Sequence, residues 1–445
     1  MKFPKAFEER MKKTLGADYE AFERAYDNPP RTGLRVNTLK MTPEAFVKQF
    51  PYTLRPVPWA SDGFYYDAEE TVNGKTVTKH PYYYAGLYYI QEPSAMAPVA
   101  ALAPPAGGVC LDLCAAPGGK STQIASAIHD DGVLISNDIS EKRIKAVLRN
   151  VEKFGLRNAI VLNDSPERIA KNLEGMVDAL LIDAPCSGEG MFKKDAKAMK
   201  SWERYGPPAC HDLQREILDA SAEVVKSGGK LVYSTCTFAP EENEMQAEYI
   251  EDTLHFSPNA IELGVIAVEG NRARIWPHRH EGEGHFLGSF VRSEEGEQPG
   301  KPVPYGENQP PESVREFIET HLKSDRLKGF YEVDHDRVFL RPKYRLPLKG
   351  LKVIREGLLV GHLKNDRFVP SQALAIYLKR EDFEPILDLP SDGEAIDRYL
   401  KCETLQVETE TEGLHLVCTD GFPVGWAKIS GGMLKNLYPA SWRIL

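Results

Sequence analysis

Two cysteines and one aspartate lie in polar segments that directly follow apolar, strand-like runs. Asp183 and Cys186 follow the run VDALLI, and Cys236 follows KLVYST. A thiolate that adds to carbon 6 of a pyrimidine makes carbon 5 nucleophilic enough to attack a sulfonium methyl group. A carboxyl group near N3 can stabilise the charge that develops in the ring. These residue types therefore indicate methyl transfer to a pyrimidine, and their spacing leaves open which cysteine attacks.

Cysteine is more often a small buried hydrophobe than a nucleophile. Four cysteines fit that structural role: Cys110, Cys210, Cys402 and Cys418. The polar surroundings of Cys186 and Cys236 fit it less well. The seven cysteines contain no CxxC pair, so neither a zinc site nor a disulfide framework is predicted. Three neighbouring histidines are not assigned as metal ligands either: His278, His280 and His285. Free thiols predict a reducing, cytoplasmic location.

A glycine-rich segment, CAAPGGKS from Cys114 to Ser121, follows one strand-like run and opens a helical one. Glycines let a ligand approach the backbone, and a helix N-terminus offers unpaired N–H groups. An acidic residue about 20 positions further on would hold ribose hydroxyls. Asp138 lies 19 positions after Gly119, which favours a nucleoside cofactor. A P-loop NTPase stays an alternative, because GxxxxGKS would fit if residue 114 were glycine and Asp183 ended a Walker B strand.

Strand-like and helix-like segments alternate between residues 107 and 240. The segment 140–155 predicts an amphipathic helix, with four apolar positions at helical spacing: Ile144, Val147, Leu148 and Val151. A second helix is predicted over 211–229, ending at a glycine pair. The series predicts a doubly wound parallel sheet, which binds ligands at the carboxyl ends of its strands. This topology would bring the glycine-rich loop and both cysteines to one crevice.

The 445 residues are 42% hydrophobic and 27% charged, a composition typical of folded proteins, and the length suggests about three domains. The sequence has no apolar stretch long enough for a transmembrane helix, and its first residues lack a signal-peptide pattern. A net charge of -10 argues against a wholly basic nucleic-acid binder. Basic residues nevertheless cluster at 142–149, 193–200 and 341–355, and the Pro- and Gly-rich segment 293–312 predicts a linker.

The chain resembles the Sun (Fmu/Nop) family of RNA cytosine-5 methyltransferases in five motifs: CAAPGGKS, NDIS, DAPCSGEGMF, YSTCT and PEENE. Within that family it is similar to the bacterial RsmF-like enzymes of 16S ribosomal RNA. Flanking segments match as well, at 31–40, 88–95 and 425–439. The resemblance implies an S-adenosylmethionine-dependent rRNA cytosine-5 methyltransferase that works through a covalent Cys–C6 intermediate. Transfer RNA is the alternative substrate, and a non-catalytic RNA-binding assembly factor is an alternative outside the enzymes.

The resemblance implies a role for each matching residue. Cys236 would be the nucleophile, Cys186 would assist release of the product, and Asp183 would lie between cofactor and target base. S-adenosylmethionine would be bound by the glycine-rich loop and three aspartates: Cys114, Ala115, Ala116, Pro117, Gly118, Gly119, Lys120, Asp138, Asp164 and Asp183. Asp138 would hold the ribose. The position near the adenine falls on Asp164 or on Ser165, depending on the local alignment.

The resemblance further implies a Rossmann-like methyltransferase sheet with a small N-terminal α/β domain and C-terminal RNA-binding modules. The predicted ranges are 1–92 for the N-terminal domain, 93–293 for the catalytic domain, 294–312 for a linker, 313–380 for an RNA-binding extension and 381–445 for a PUA-like module. The predicted partner is RNA, namely 16S rRNA, alone or within the small ribosomal subunit. A monomer without membrane contact is expected. Phe192 and Trp202 are expected to pack in a core rather than stack on bases.

Overall fold

The computed structural model describes residues 2–194, 196–293, 302–365 and 367–444. Its N-terminal part comprises two helices and a small α/β unit: α1 (Lys5–Leu15), α2 (Tyr19–Ala25), β1 (Gly33–Val36), α3 (Pro43–Gln49), β2 (Leu54–Pro56), β3 (Gly63–Tyr66), β4 (Thr71–Val72), β5 (Lys75–Thr76), α4 (Pro81–Tyr84) and β6 (Tyr88–Ile90). Strands β2, β3, β1 and β6 form one antiparallel sheet in that order, and β4 pairs with β5.

The central part alternates helices and strands: α5 (Ala97–Leu102), β7 (Val109–Asp112), α6 (Gly119–Ile128), β8 (Val133–Asn137), α7 (Ile144–Phe154), β9 (Ala159–Leu162), α8 (Pro166–Leu173), β10 (Val177–Asp183), α9 (Ala196–Ser221), β11 (Val225–Thr235), α10 (Glu244–Asp252), β12 (Phe256–Pro258), β13 (Val268–Glu269), β14 (Arg272–Ile275) and β15 (His285–Arg292). Strands β11, β10, β7, β8 and β9 run parallel, side by side in that order. Antiparallel β15 and β14 continue the sheet beyond β11. The predicted doubly wound parallel sheet is confirmed.

Both faces of this sheet are buried, which explains why its strands are continuous apolar runs. Successive residues of β10 enter different cores: Leu180 packs on one face of the sheet and Leu181 on the other. Helix α7 covers the second face with the apolar stripe read from the sequence, of which Ile144, Val147 and Val151 are fully buried. The helix predicted over 140–155 therefore exists and begins at Ile144.

The helix predicted over 211–229 ends earlier, at Ser221, so its C-terminal part was wrongly predicted. Val225 already pairs with Val177 in the sheet, and the register between β10 and β11 shifts just after this pair. Gly228 has a φ of +70°, a conformation that glycine adopts without strain. The glycine pair therefore serves an irregularity inside β11 rather than a helix end.

The described C-terminal residues form these elements: β16 (Val303–Pro304), α11 (Glu312–His321), β17 (Tyr331–Asp334), β18 (Arg337–Leu340), β19 (Tyr344–Arg345), β20 (Val353–Glu356), β21 (Leu358–Lys364), β22 (Arg367–Pro370), α12 (Gln372–Tyr377), β23 (Ile386–Asp388), α13 (Glu394–Leu400), β24 (Leu405–Gln406), β25 (Gly413–Thr419), β26 (Phe422–Ser430) and β27 (Met433–Asn436). The sheets have the orders β17–β18–β21–β22 and β23–β25–β26–β27–β24. Strand β20 instead pairs antiparallel with β9, where Arg355 lies opposite Val161. The region predicted as an RNA-binding extension thus supplies an edge strand of the central sheet.

The predicted linker falls partly on residues 294–301, which lie outside the described residues. In its described part, β16 pairs with β19. The first and last sheets share an apolar core, in which the rings of Tyr82 and Phe422 have centroids 5.7 Å apart. Over the described ranges, the structure has no helix that is both long and apolar enough to cross a membrane. The domain ranges given above stay predictions.

Candidate active site

The two cysteines meet where neighbouring parallel strands end. Asp183, the last residue of β10, lies opposite Ser234 of β11, so the β10–α9 loop and the β11–α10 loop leave the sheet side by side. The first loop carries Cys186 and the second Cys236, and the two Sγ atoms are 3.3 Å apart. Both thiols are free. The hydrogen bond with Cys236, together with burial, raises the pKa of the Cys186 thiol, so Cys186 stays protonated.

A buried polar cluster connects the same two loops. The Ser187 hydroxyl and the Thr237 hydroxyl are 2.8 Å apart. The Glu242 carboxylate accepts hydrogen bonds from the Ser187 backbone N–H at 2.8 Å, from its hydroxyl, and from Gln214 Nε2 at 3.1 Å. Burial raises the pKa of Glu242, although the bonds from Ser187 oppose this. These hydrogen bonds connect the loop that carries Cys186 with the segment that carries Cys236. The positions of the two thiols therefore depend on each other.

Asp183 lies beside the thiols in a network of donors. Lys120 Nζ donates to its Oδ2 at 2.7 Å, and the Ser234 hydroxyl donates to Oδ1 at 2.8 Å. His285 Nε2 lies 3.5 Å from the same Oδ1. Burial opposes ionisation, but Lys120 and His285 outweigh it and hold the pKa of Asp183 well below its usual range. Burial also opposes the charge of Lys120, and the Asp183 carboxylate overcomes it and raises the pKa of Lys120. The crevice therefore contains an ion pair next to two sulfur atoms.

The glycine-rich loop lies at the carboxyl end of β7 and opens α6. Gly118 has a φ of +108°, which a residue with a side chain rarely adopts. A Cβ at Gly119 would lie 2.8 Å from the Tyr89 ring. Both glycines are thus required by the backbone path, and the first N–H groups of α6 face the crevice edge. Arg35 stabilises this turn, because its guanidinium donates hydrogen bonds to Gly119 O at 3.1 Å and to Thr122 Oγ1 at 2.6 Å.

The candidate ribose and adenine residues end the next two strands. Asp138 follows β8, and its carboxylate accepts from Ala116 N at 3.3 Å and from Ser140 N at 2.9 Å. Asp164 follows β9, and its carboxylate accepts from Lys352 N at 2.8 Å and pairs with Arg168 at 3.1 Å. The hydrogen-bond acceptors fit a nucleoside: one carboxylate is bonded to the glycine-rich loop, and a second one lies at the neighbouring strand end. Asp164 is already engaged by the segment that leads into β20.

Two residues at this edge were not assigned by sequence reasoning. Asp112, the last residue of β7, is fully buried; one of its oxygens accepts from Ser121 Oγ at 2.6 Å, and the other has no hydrogen-bond partner among the described residues. Burial raises the pKa of Asp112 to about 7. His285 was weighed as a metal ligand and received no role in the site; it begins β15, next to Asp183. An acidic residue inside the apolar run VCLDL was the only signal for Asp112, and nothing local indicated the partner of His285.

The remaining candidates have structural surroundings. Phe192 is buried in an aromatic cluster, and Trp202 packs against it, so core packing is confirmed for both. His278 lies 3.9 Å from Asp18, and burial lowers the pKa of His278. Within the described parts of the chain, no group of three or more histidine, cysteine or acidic side chains is arranged to hold a metal ion.

The basic cluster at 341–355 is largely neutralised inside the protein. Four of its side chains pair with acids: Arg341 with Glu332 and Glu356, Lys343 with Asp131, Lys352 with Glu141, and Arg355 with Glu152. In the cluster at 193–200, Lys193 lies 3.7 Å from Glu283. Lys142 and Lys145 of the first cluster are exposed on and just before α7.

A parallel sheet with a glycine-rich loop, a carboxylate at the next strand end and two thiols at its carboxyl edge is typical of an S-adenosylmethionine-dependent methyltransferase. A solved structure supports this class: the chain is similar to the methyltransferase homolog protein from Pyrococcus horikoshii, with 32% identity and a TM-score of 0.57, over 65% of this chain and 95% of that one.

Family comparisons define the group more closely. Residues 99–291 match the 16S rRNA methyltransferase RsmB/F family, 3–93 the N-terminal domain of RsmF, 316–378 its first C-terminal domain and 386–444 its PUA domain. Ribosomal RNA small subunit methyltransferase F from Shewanella sp. (strain W3-18-1) is 31% identical over 94% of this chain and 91% of its own length. The same-named protein from Vibrio parahaemolyticus is 37% identical over 66% of this chain and 64% of its own length.

The chain therefore belongs to the ribosomal RNA small subunit methyltransferase F family. The resemblance seen in the sequence is confirmed, as is the PUA-like module at the C-terminus. The P-loop NTPase alternative is wrong.

Proposed function

We propose that the protein methylates carbon 5 of a cytidine in 16S rRNA, with S-adenosylmethionine as the methyl donor. The observation that carries the proposal is the pair of free thiols 3.3 Å apart, beside an ionised carboxylate at the cofactor edge of the sheet. A target base inside a helix cannot reach this edge, so the cytidine must be extruded or already single-stranded.

Cys236 is the proposed nucleophile, and its Sγ forms a bond to carbon 6 of the cytosine. The cofactor supplies an electrophilic methyl group when it is bound. Carbon 5 takes up that methyl group, a base then removes the C5 proton, and the electron pair left behind expels the Cys236 thiolate from carbon 6. Cys186 stays protonated through its hydrogen bond with Cys236. It can therefore return a proton to the departing sulfur and so assist release of the product.

Asp183 and Lys120 are proposed to orient the base and to balance its charge. An ionised Asp183 can accept a hydrogen bond from the exocyclic amino group of cytosine but has no proton to give to N3. The Lys120 ammonium lies 2.7 Å from Asp183 and offsets the negative charge that spreads into the ring after attack at carbon 6. Attack and charge compensation thus involve three neighbouring elements: α6, β10 and the β11–α10 loop.

The loop from Cys114 to Lys120 is proposed to bind S-adenosylmethionine. Its glycines keep the backbone open, and Asp138 would accept hydrogen bonds from the ribose hydroxyls. The adenine side is assigned to Asp164, with Ser165 as the neighbouring alternative. Asp164 would do so while remaining bonded to Lys352, so the cofactor edge and the C-terminal part would respond to each other.

The proposed partner is 16S rRNA within the small ribosomal subunit, and the proposed enzyme is a monomer in the cytoplasm. The test is transfer of a labelled methyl group to naked 16S rRNA, to isolated small subunits and to tRNA, followed by nucleoside analysis. Labelled 5-methylcytidine is expected from one of the rRNA substrates. Label in tRNA alone would show that tRNA, not rRNA, is the substrate. No label in any of the three RNAs would contradict the proposal.

Cys236→Ala should abolish transfer while leaving binding of S-adenosylmethionine unchanged by calorimetry. Cys402→Ala, which removes a thiol from the last domain, is the matched control and should keep full activity. Retained turnover by Cys236→Ala would mean that another group attacks carbon 6.

A further inference from the structure

The helices α1 and α2 pack directly on the two loops that carry the cysteines. Phe7 of α1 meets Phe192 of the β10–α9 loop edge-on, with ring centroids 5.2 Å apart. Phe22 of α2 meets Phe238 of the β11–α10 loop in the same way, at 5.5 Å. The helix pair is therefore attached to both loops, although it lies about 160 residues or more from them in the chain.

Glu189 joins this helix pair to both loops through its side chain. It is fully buried in the β10–α9 loop. Its Oε1 accepts hydrogen bonds from Trp202 Nε1 at 2.7 Å and from the Arg10 guanidinium of α1. Its Oε2 accepts from the backbone N–H of Phe238 at 2.9 Å. Arg10 thus provides the opposite charge that makes a buried carboxylate tolerable at this position.

The backbone beside Glu189 adds a second connection. The N–H of Gly190 donates to the carbonyl oxygen of Cys236 at 2.8 Å. A Cβ at Gly190 would lie 3.0 Å from that oxygen, so the two loops approach about as closely as two backbones can. Tyr26, which directly follows α2, donates its hydroxyl to the Glu189 carbonyl at 3.3 Å. Residues 189 and 190 therefore hold the segment from Cys236 to Phe238 at both of its ends.

We propose that Arg10 is a positioning residue for methyl transfer, which acts through Glu189 to hold Cys236 in place beside Cys186. The proposal rests on the proposed function only for the identity of the reaction. Without Arg10, the Glu189 carboxylate must either take up a proton or turn toward water. Either change weakens its bond to the Phe238 N–H, so the loop that carries the nucleophile loses one of its attachments to the β10–α9 loop.

The kinetic test compares Arg10→Gln with Lys12→Gln. Lys12 lies on the same helix, pairs with Glu8 in an exposed position and forms no hydrogen bond to the described residues of either loop, so its variant is the matched control. Arg10→Gln should lower kcat by about tenfold to a hundredfold, because small displacements of reacting groups have effects of this size. The KM for S-adenosylmethionine should not change, since the loop at 114–120 is untouched. The double variant R10Q/E189Q should recover part of kcat, because it leaves no unpaired buried charge.

A second readout needs no RNA. The rates at which iodoacetamide alkylates each cysteine are measured by peptide mass spectrometry. In Arg10→Gln, Cys186 should react faster because its hydrogen bond with Cys236 is weakened, while Cys402 in the last domain should react at the wild-type rate. A general loosening of the fold would instead accelerate all the free cysteines together and would count against a positioning role.

Wild-type kcat and wild-type alkylation rates in Arg10→Gln would overturn the proposal. If that variant does not fold, the double variant R10Q/E189Q takes its place, since it leaves no unpaired buried charge. Wild-type kcat and wild-type alkylation rates in the double variant would overturn the proposal equally. If the wild-type protein methylates no RNA, the proposed function fails, whereas the alkylation comparison still decides the role of Arg10.

Discussion

Lys120→Met removes the cation that compensates Asp183. Breaking a fully buried ion pair by removing one partner costs about 3–5 kcal/mol. The Asp183 side chain is 28% exposed and keeps its contacts with Ser234 and His285. We therefore expect the variant to lose about 2 kcal/mol of unfolding free energy at pH 7. The methyl-transfer rate should fall by about a hundredfold to a thousandfold, as for the loss of one charge-stabilising donor.

The stability difference between wild type and Lys120→Met should depend on pH, because Lys120 lowers the pKa of Asp183. In the folded chain the pKa of Asp183 lies below its ordinary value of 3.8, so its ionisation stabilises the fold at every pH above that value. This stabilisation is lost as the pH falls through the folded-state pKa. Because Lys120→Met removes a main cause of the low pKa, the difference in unfolding free energy between wild type and variant should be largest near pH 7. It should shrink below about pH 4.

Urea unfolding at pH 7 and at pH 3.5 measures the stability difference, and labelled methyl transfer measures the rate. Lys343→Met is the control, because Lys343 forms a 2.9 Å pair with Asp131 in which both side chains are largely exposed. Exposed pairs contribute about 1 kcal/mol or less. A Lys120→Met protein with wild-type stability at pH 7 and a wild-type rate would refute the assigned role of the pair.

Cys186→Ala should accumulate a covalent RNA adduct through Cys236, visible on denaturing gels and absent from the double variant with Cys236→Ala; loss of turnover without an adduct would remove Cys186 from the release step. Asp112→Asn should remove a pH-dependent destabilisation. The folded-state pKa of Asp112 is about 7, whereas its ordinary value is 3.8. Between pH 4 and pH 7, wild type should therefore lose up to about 4 kcal/mol of unfolding free energy relative to the variant. Thermal unfolding across that range checks this, and parallel curves would contradict it.

The sequence predicted the central sheet and the position of the site because both depend on local patterns. Apolar runs marked the strands, and the polar residues after them had to lie at one edge once the strands were parallel. Pairing of Asp183 with Ser234 then brings Cys186 and Cys236 together. The role of each cysteine came from the family resemblance, since strand spacing alone treats them alike.

Contacts between distant segments were beyond sequence reasoning. The acids that neutralise the basic cluster at 341–355 come from several separate elements, among them Asp131 and Glu152. Strand β20 has no local feature that indicates pairing with β9, and the pair of Arg10 with Glu189 spans 179 positions. Such partners are chosen by the tertiary fold, not by periodicity, so they become visible only in three dimensions.

The pairing of β20 with β9 affects how this architecture can be divided. A boundary drawn after Arg292 would cut a hydrogen-bonded ladder and leave β9 as an open sheet edge, a surface that invites pairing with another chain. It would also leave Asp164 without the backbone N–H of Lys352. Exchange of the C-terminal part between related enzymes would therefore succeed only if the incoming part brings a strand that fits this edge. The segment that carries β20 is structurally part of the catalytic sheet, even though it lies in another region of the chain.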